Sequence, residues 1–153
     1  MPNSVRQQIV DRCVSALAIQ KGDTYKVTVK LVTTDWKHYE SISKSDVPAI
    51  LVMDGDEERE WACLPGSSTQ DAEGSLPITF HGILFSHRDS TEQDLDDLIR
   101  DIGLVVLNDS TLKGLCFSIE PVTVLTDRGT VKSFAFLEVT YMFRYFYNSA
   151  SGG

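Results

Sequence analysis

Three histidines, His38, His81 and His87, and a run of carboxylates, DGDEERE from Asp54 to Glu60, are the residues whose types could do chemistry. No histidine stands at the HExxH spacing of a helical zinc protease or at the paired Cys and His spacing of a zinc finger. His81 and His87 straddle the end of an apolar run, where two imidazoles can converge on a metal. A strand histidine and a loop histidine with no special role is the plainer reading. The acidic run lacks the order of an EF-hand, which needs acids at alternate positions, Gly at the sixth and Glu at the twelfth. A solvated or partner-facing acidic loop therefore fits Asp54, Asp56, Glu57, Glu58 and Glu60 better than calcium does.

Cys13, Cys63 and Cys116 form an odd set without CxxC spacing, each beside apolar neighbours, and read as buried free thiols. The chain holds no GxSxG nucleophile elbow, no GxxxxGK[ST] phosphate loop and no GxGxxG after a strand. Adjacent carboxylates such as Asp96 and Asp97 diverge on a helix instead of converging on a substrate. No catalytic residue, metal ligand or cofactor is expected from these patterns, and the chain does not read as an enzyme.

Whatever these side chains do, one compact domain over residues 1–153 has to position them, because 153 residues are too few for two full cores. Hydrophobic residues at 42% and charged residues at 24% are ordinary globular usage, which excludes wholesale disorder. With 14 Lys plus Arg against 22 Asp plus Glu, the formal charge of -8 has the wrong sign for gripping phosphates. No run approaches the roughly 20 apolar residues of a membrane span. The opening MPNSVRQQIVDR has no secretory apolar stretch, so a cytoplasmic protein is expected.

Val5, Ile9, Cys13 and Leu17 recur every four residues behind a Ser4/Gln7 capping box, predicting a helix from Ser4 to about Ile19. Tyr25, Val27, Val29 and Leu31 alternate with Lys26, Thr28 and Lys30, predicting a strand with one wet face. Ala49 to Met53 reads as a buried strand. Between Asp54 and Gly74 lie seven acids and one Arg, predicting an acidic loop over about 54–76, long enough to suspect function. Ile78 to Phe85 is apolar on both faces and belongs inside a sheet. A Ser90/Gln93 capping box then opens a second helix, with Leu95, Leu98, Ile99, Ile102 and Val106 inward and Asp96, Asp97, Arg100 and Asp101 facing water. It should end near Leu107 or Asn108.

Cys116 to Thr126 reads as a strand in which Pro121 marks an edge or a bulge. Asp127, Arg128 and Gly129 turn the chain into a last strand, Val131 to Tyr147, which holds seven of the 14 aromatic residues. Its odd positions from Ala135 are all apolar or aromatic, whereas the even ones mix Phe134, Phe136, Met142 and Phe146 with Glu138 and Arg144. At about 3.3 Å per residue such a strand exceeds 50 Å. Either it bends within one core, or part of it leaves the body as an aromatic hairpin arm leaning on a neighbour. The residues after it, 148–153, read as a flexible tail. The order α-β-β-β-α-β-β predicts an α+β fold: a mixed, mostly antiparallel sheet with two helices on one face, plus a long loop or hairpin arm.

From Ile78 onward the chain resembles the tail terminator, or tail completion, family of long-tailed bacteriophages. FHGILFSHRD, TEQDLDDLIRDIGLVVL, NDSTLKGLCFSIEPV and FAFLEVTYMFRYFY stand where that family has a strand, an acidic-capped helix, a D-x-T-L-x-G-L turn and an aromatic hairpin. Asp109, Thr111, Leu112, Gly114 and Leu115 carry the sharpest match. The acidic stretch from Asp54 to Gly74 has no counterpart in the pattern. The resemblance implies a virion protein that forms a ring, usually of six subunits, which stops tail-tube growth and joins the tail to the head connector. Its partners would be copies of itself, the major tail tube protein, the connector or head-closure protein and, in a contractile tail, the sheath protein. DNA would pass through the lumen without specific binding, and neither cofactor nor membrane is implied. Phe134, Phe136, Met142, Arg144 and Phe146 are the expected face toward a neighbour, and the acids of Asp54 to Glu60 are candidates to face lumen or partner.

Overall fold

The computed structural model describes residues 4–61, 71–86, 91–108, 114–127 and 133–148. Helix α1, Val5–Ala16, starts where the Ser4 hydroxyl accepts the Gln7 amide at 3.2 Å. Ile9, Val10 and Cys13 are buried along it. The helix stops short of Ile19, because Leu17 caps it and both apolar residues fold back onto the core as an irregular turn, still buried.

The strand foreseen over residues 25–31 forms only at its end, as β1, Leu31–Thr33. The alternation survives, with Val29 buried, Tyr25 and Val27 half-buried and Lys26, Thr28 and Lys30 exposed. Its backbone partners are not a neighbouring strand, however. The Lys26 and Val27 amides both donate to Asp101 Oδ2, at 2.9 and 2.8 Å, Val29 donates to the Ile19 carbonyl and Lys30 to that of Pro48. One carboxylate has taken the place of a ladder.

Strands β2 (Ala49–Asp54), β3 (Glu58–Trp61), β4 (Asp71–Phe85), β5 (Ser118–Asp127) and β6 (Phe134–Asn148) complete the sheet, with helix α2 (Thr91–Asn108) between β4 and β5. The sheet runs β1-β2-β4-β6-β5, with β3 also on β4, and only β1 with β2 is parallel. The mixed, mostly antiparallel α+β architecture is as the element order foretold.

The acidic loop is a correction. Asp54 ends β2, Gly55 to Glu57 form an offset opposite Leu76 and Pro77, and β3 then pairs along 72–75 of a β4 that begins at Asp71. The Gly55 amide bonds the Pro77 carbonyl at 2.8 Å, so the β2 margin continues into β3 past one irregularity. Charged residues read as loop here because a sheet margin tolerates side chains that face water. Residues 62–70 lie outside the described residues.

β4 and β6 pair at fifteen consecutive positions, from Asp71 opposite Asn148 to Phe85 opposite Phe134. The long aromatic strand therefore never leaves the sheet; the hairpin at its far end is β3 with the start of β4. Both helices lie on the face that presents even residues of β4 and odd residues of β6, over a core that includes Phe80, Leu98, Ile102, Phe143 and Tyr145. Gly82 permits this approach: a Cβ there would sit 2.8 Å from Leu137 and 2.9 Å from Leu98 of α2. On the opposite face, Ile42 and Val47 cover Ala49, Leu51 and Ile83 in a second, smaller cluster.

Two details follow the sequence closely and one does not. β5 is a margin strand with its register shift between Pro121 and Thr123, as a proline in a strand demands. Cys13 and Cys116 are buried free thiols, with Cys13 pushed up to about 12 by burial and by nearby Cys116. Asp101, assigned to the wet face of α2, is instead fully buried and gripped by Lys26, Val27 and Arg100 Nη1 at 3.1 Å. Cys63, His87, Ser90 and the tail 149–153 lie outside the described residues.

Candidate functional site

Period-two alternation puts Phe134, Phe136, Met142, Arg144 and Phe146 on one face of β6, away from the helices. They do not form one patch. Phe134 and Phe136 are half-buried against the second cluster, with Phe134 stacked on Phe85 at 6.0 Å. At the other end Phe146 is 54% exposed and stacks on Phe117, itself 44% exposed, at 4.6 Å. Arg144 lies between, its Nη2 3.6 Å from Glu120, its Nε buried without an acceptor among the described residues. Thr79 and Thr140 hydroxyls bond across β4 and β6 at 2.8 Å in the middle of this face.

The acidic set also divides. Asp54 is held by Arg6, which reaches on to the Gly55 carbonyl, and Glu57 is paired with Arg59. Asp56, Glu58 and Glu60 remain exposed. Glu60 stands opposite Glu73 in the ladder, a like-charge pair at the margin of the sheet. Of the turn motif, Asp109, Thr111 and Leu112 lie outside the described residues; Gly114 has φ +86°, which favours glycine, and Leu115 packs on the main core.

Sequence reasoning passed over two features. The first is a groove of about 300 Å³ on the open face, walled by Trp36, Leu51, His81, Phe136 and Glu138. Trp36 is 65% exposed and meets His81 edge-on at 5.1 Å, while His81 Nδ1 lies 3.4 Å from Glu138 Oε1. Burial lowers the His81 pKa from its ordinary value and the neighbouring Glu138 opposes that shift, the net effect favouring the neutral ring. A neutral imidazole backed by a carboxylate resembles a general base. Yet the residues lining the groove include no Ser, Thr or Cys for it to activate. The described residues also hold no group of three metal-ligating side chains.

The second is the β5 margin. Eight large apolar side chains are exposed among the described residues, and Phe117, Val122, Val124, Leu125 and Phe146 lie on or beside β5. The sequence does carry a trace of this, since PVTVLT is apolar on both faces of a strand already marked as marginal by Pro121. No model of a known protein family matches the chain, and no curated protein matches it significantly.

Proposed function

We propose that this chain is a virion assembly protein of the tail-terminator kind: a ring, six subunits by resemblance, that caps the head-proximal end of a phage tail tube and joins it to the head connector. The observation that carries this reading is the exposed apolar margin of β5 with the Phe117–Phe146 stack beside it. Among the described residues no strand pairs with the outer side of β5; an apolar strand at a sheet margin is a surface for another chain, and a protein that remains alone normally blunts it. Closed rings use one such heterologous contact repeatedly.

Two further features support that reading. Exposed Asp56, Glu58 and Glu60 on a chain of formal charge -8 would repel DNA in transit through a lumen. The groove at Trp36 offers a recess for an aromatic or aliphatic side chain of the tube or connector protein. Catalysis and cofactors have no part in this reading, and the protein acts in the host cytoplasm during assembly and in the finished particle thereafter.

The test is to add the purified protein to polymerising tail-tube protein and to image tube ends by electron microscopy. Ring-shaped caps with arrested growth are the expected result. Uncapped, growing tubes together with binding to filled heads would reassign the chain to head closure.

A further inference from the structure

The groove at Trp36 has a charged rim as well as apolar walls, and strand register sets both. Residues directly opposite each other on antiparallel neighbours point to the same face of a sheet. Leu51 of β2, His81 of β4, Glu138 of β6 and Leu125 of β5 therefore form one row across the open face. Ala49, Ile83, Phe136 and Asp127 form the next. Glu138 and Asp127 are thus diagonal neighbours on one face, beside the apolar Leu51, Ile83 and Phe136 that line the groove with them.

Trp36 closes the groove from outside the sheet. It follows β1 in a turn where the Thr33 hydroxyl accepts the Asp35 amide at 3.1 Å. Among the described residues it is the most exposed of the large apolar side chains. Its ring stands at 84° to that of His81, so the imidazole braces the indole while leaving most of it open. Glu138 is half-exposed and meets His81 Nδ1 at 3.4 Å, a contact that occupies one of the roughly four lone-pair sites of a carboxylate. Lys37 is the one lysine or arginine lining the groove, against the carboxylates of Glu138 and Asp127, and His38 faces its own neighbour Glu40 at 3.8 Å.

A side chain that suits all of these surfaces needs an apolar stem, a planar head and a positive charge. Methylene groups match the floor, and a guanidinium both stacks on an indole and makes a charge-assisted pair with a carboxylate. A lysine ammonium lacks the plane and is more strongly hydrated. An anion would meet Glu138 and Asp127. We infer that this groove docks an arginine of a partner protein, its stem along Leu51 and Ile83 and its guanidinium on Trp36 and Glu138. The contact narrows the occupant of the recess; that the arginine belongs to the tube or connector protein rests on the ring reading above.

Peptide probes test it on the wild-type chain. Acetyl-Ala-Arg-Ala-amide, and the same peptide with citrulline, lysine or norleucine in place of arginine, are titrated while NMR follows the Trp36 indole N–H, which a Trp36→Phe variant assigns. The arginine peptide should give a saturable shift, and citrulline, of similar shape without the charge, should bind at least about tenfold more weakly. Glu138→Gln should weaken arginine binding by a similar factor and leave citrulline binding as it was, with an unchanged melting temperature as the check on folding. Equal binding of arginine, citrulline and norleucine would make the groove a purely apolar recess and overturn the inference. Lysine binding as tightly as arginine, arginine binding undiminished by Glu138→Gln, or no shift at Trp36 would overturn it as well. Tube capping is read separately, so failure here leaves the ring reading standing.

Discussion

Asp101 ties the segment before β1 to helix α2. It is fully buried, and its Oδ2 accepts the amides of Lys26 and Val27, residues that no strand pairs. Asp101→Ala leaves both donors without a partner, and an unsatisfied buried group costs about 1–3 kcal/mol. A fall in the urea midpoint, with faster hydrogen exchange at Lys26 and Val27, is the expected outcome; Asp101→Asn, which keeps an acceptor oxygen, should lose less. Cys13 gives a second prediction. Its pKa is raised from 9.0 to about 12, so the folded state holds the proton more tightly than the unfolded one. The resulting stability is fully present below pH 9 and is lost as pH rises toward 12. Native protein at pH 8 should leave Cys13 unalkylated in peptide mapping, and urea should expose it. At Glu60, opposite Glu73, substitution by Lys should raise stability by about 0.2–1 kcal/mol, read as an increase in melting temperature.

Elements are held together by the match between α2 and the centre of the sheet. Leu95, Leu98 and Ile102 are buried on the helix, and Leu98 reaches down to the backbone of Gly82. Gly82→Ala places a carbon 2.8 Å from Leu137 and 2.9 Å from Leu98, so α2 must shift or both leucines must change rotamer. Overpacking of this kind costs about 1–3 kcal/mol. Pairing Gly82→Ala with Leu98→Ala should recover only part of that loss, because the truncated leucine leaves its own void; thermal melts of the single and double variants measure both effects. The same packing explains why a strand of fifteen residues stays on the body. β4 partners β6 throughout, and the apolar odd face of β6 is buried as far as Tyr145.

For the whole molecule the question is where the charge sits. Arg6 and Arg59 already hold Asp54 and Glu57, so in the proposed ring the exposed Asp56, Glu58 and Glu60 are the members of this acidic set that would shape a lumen field. Replacing these three by Asn and Gln should leave tube capping intact and slow genome ejection from reconstituted particles. Ejection at the native rate would remove the lumen role while leaving assembly untouched.

Both helices, the apolar interior of β2, β4 and β6 and the bulge at Pro121 were legible because periodicity, capping and proline act within a few residues of chain. The alternating segment at 25–31 shows the limit of that logic. Its pattern of burial was readable, whereas its hydrogen-bond partner, a carboxylate 75 residues away, was not. The same holds for Asp101, whose local pattern assigns it to water and whose burial is decided by what α2 lies against. Glu58 and Glu60 look like loop until β4 supplies a ladder for their backbone. Phe134 and Phe146 share one face of one strand, yet the first is half-buried against the smaller apolar cluster and the second is open. Sequence determined which side of each element is apolar, because that is a property of consecutive residues. Only the tertiary structure decided which of those sides is covered, because coverage depends on contacts between distant segments.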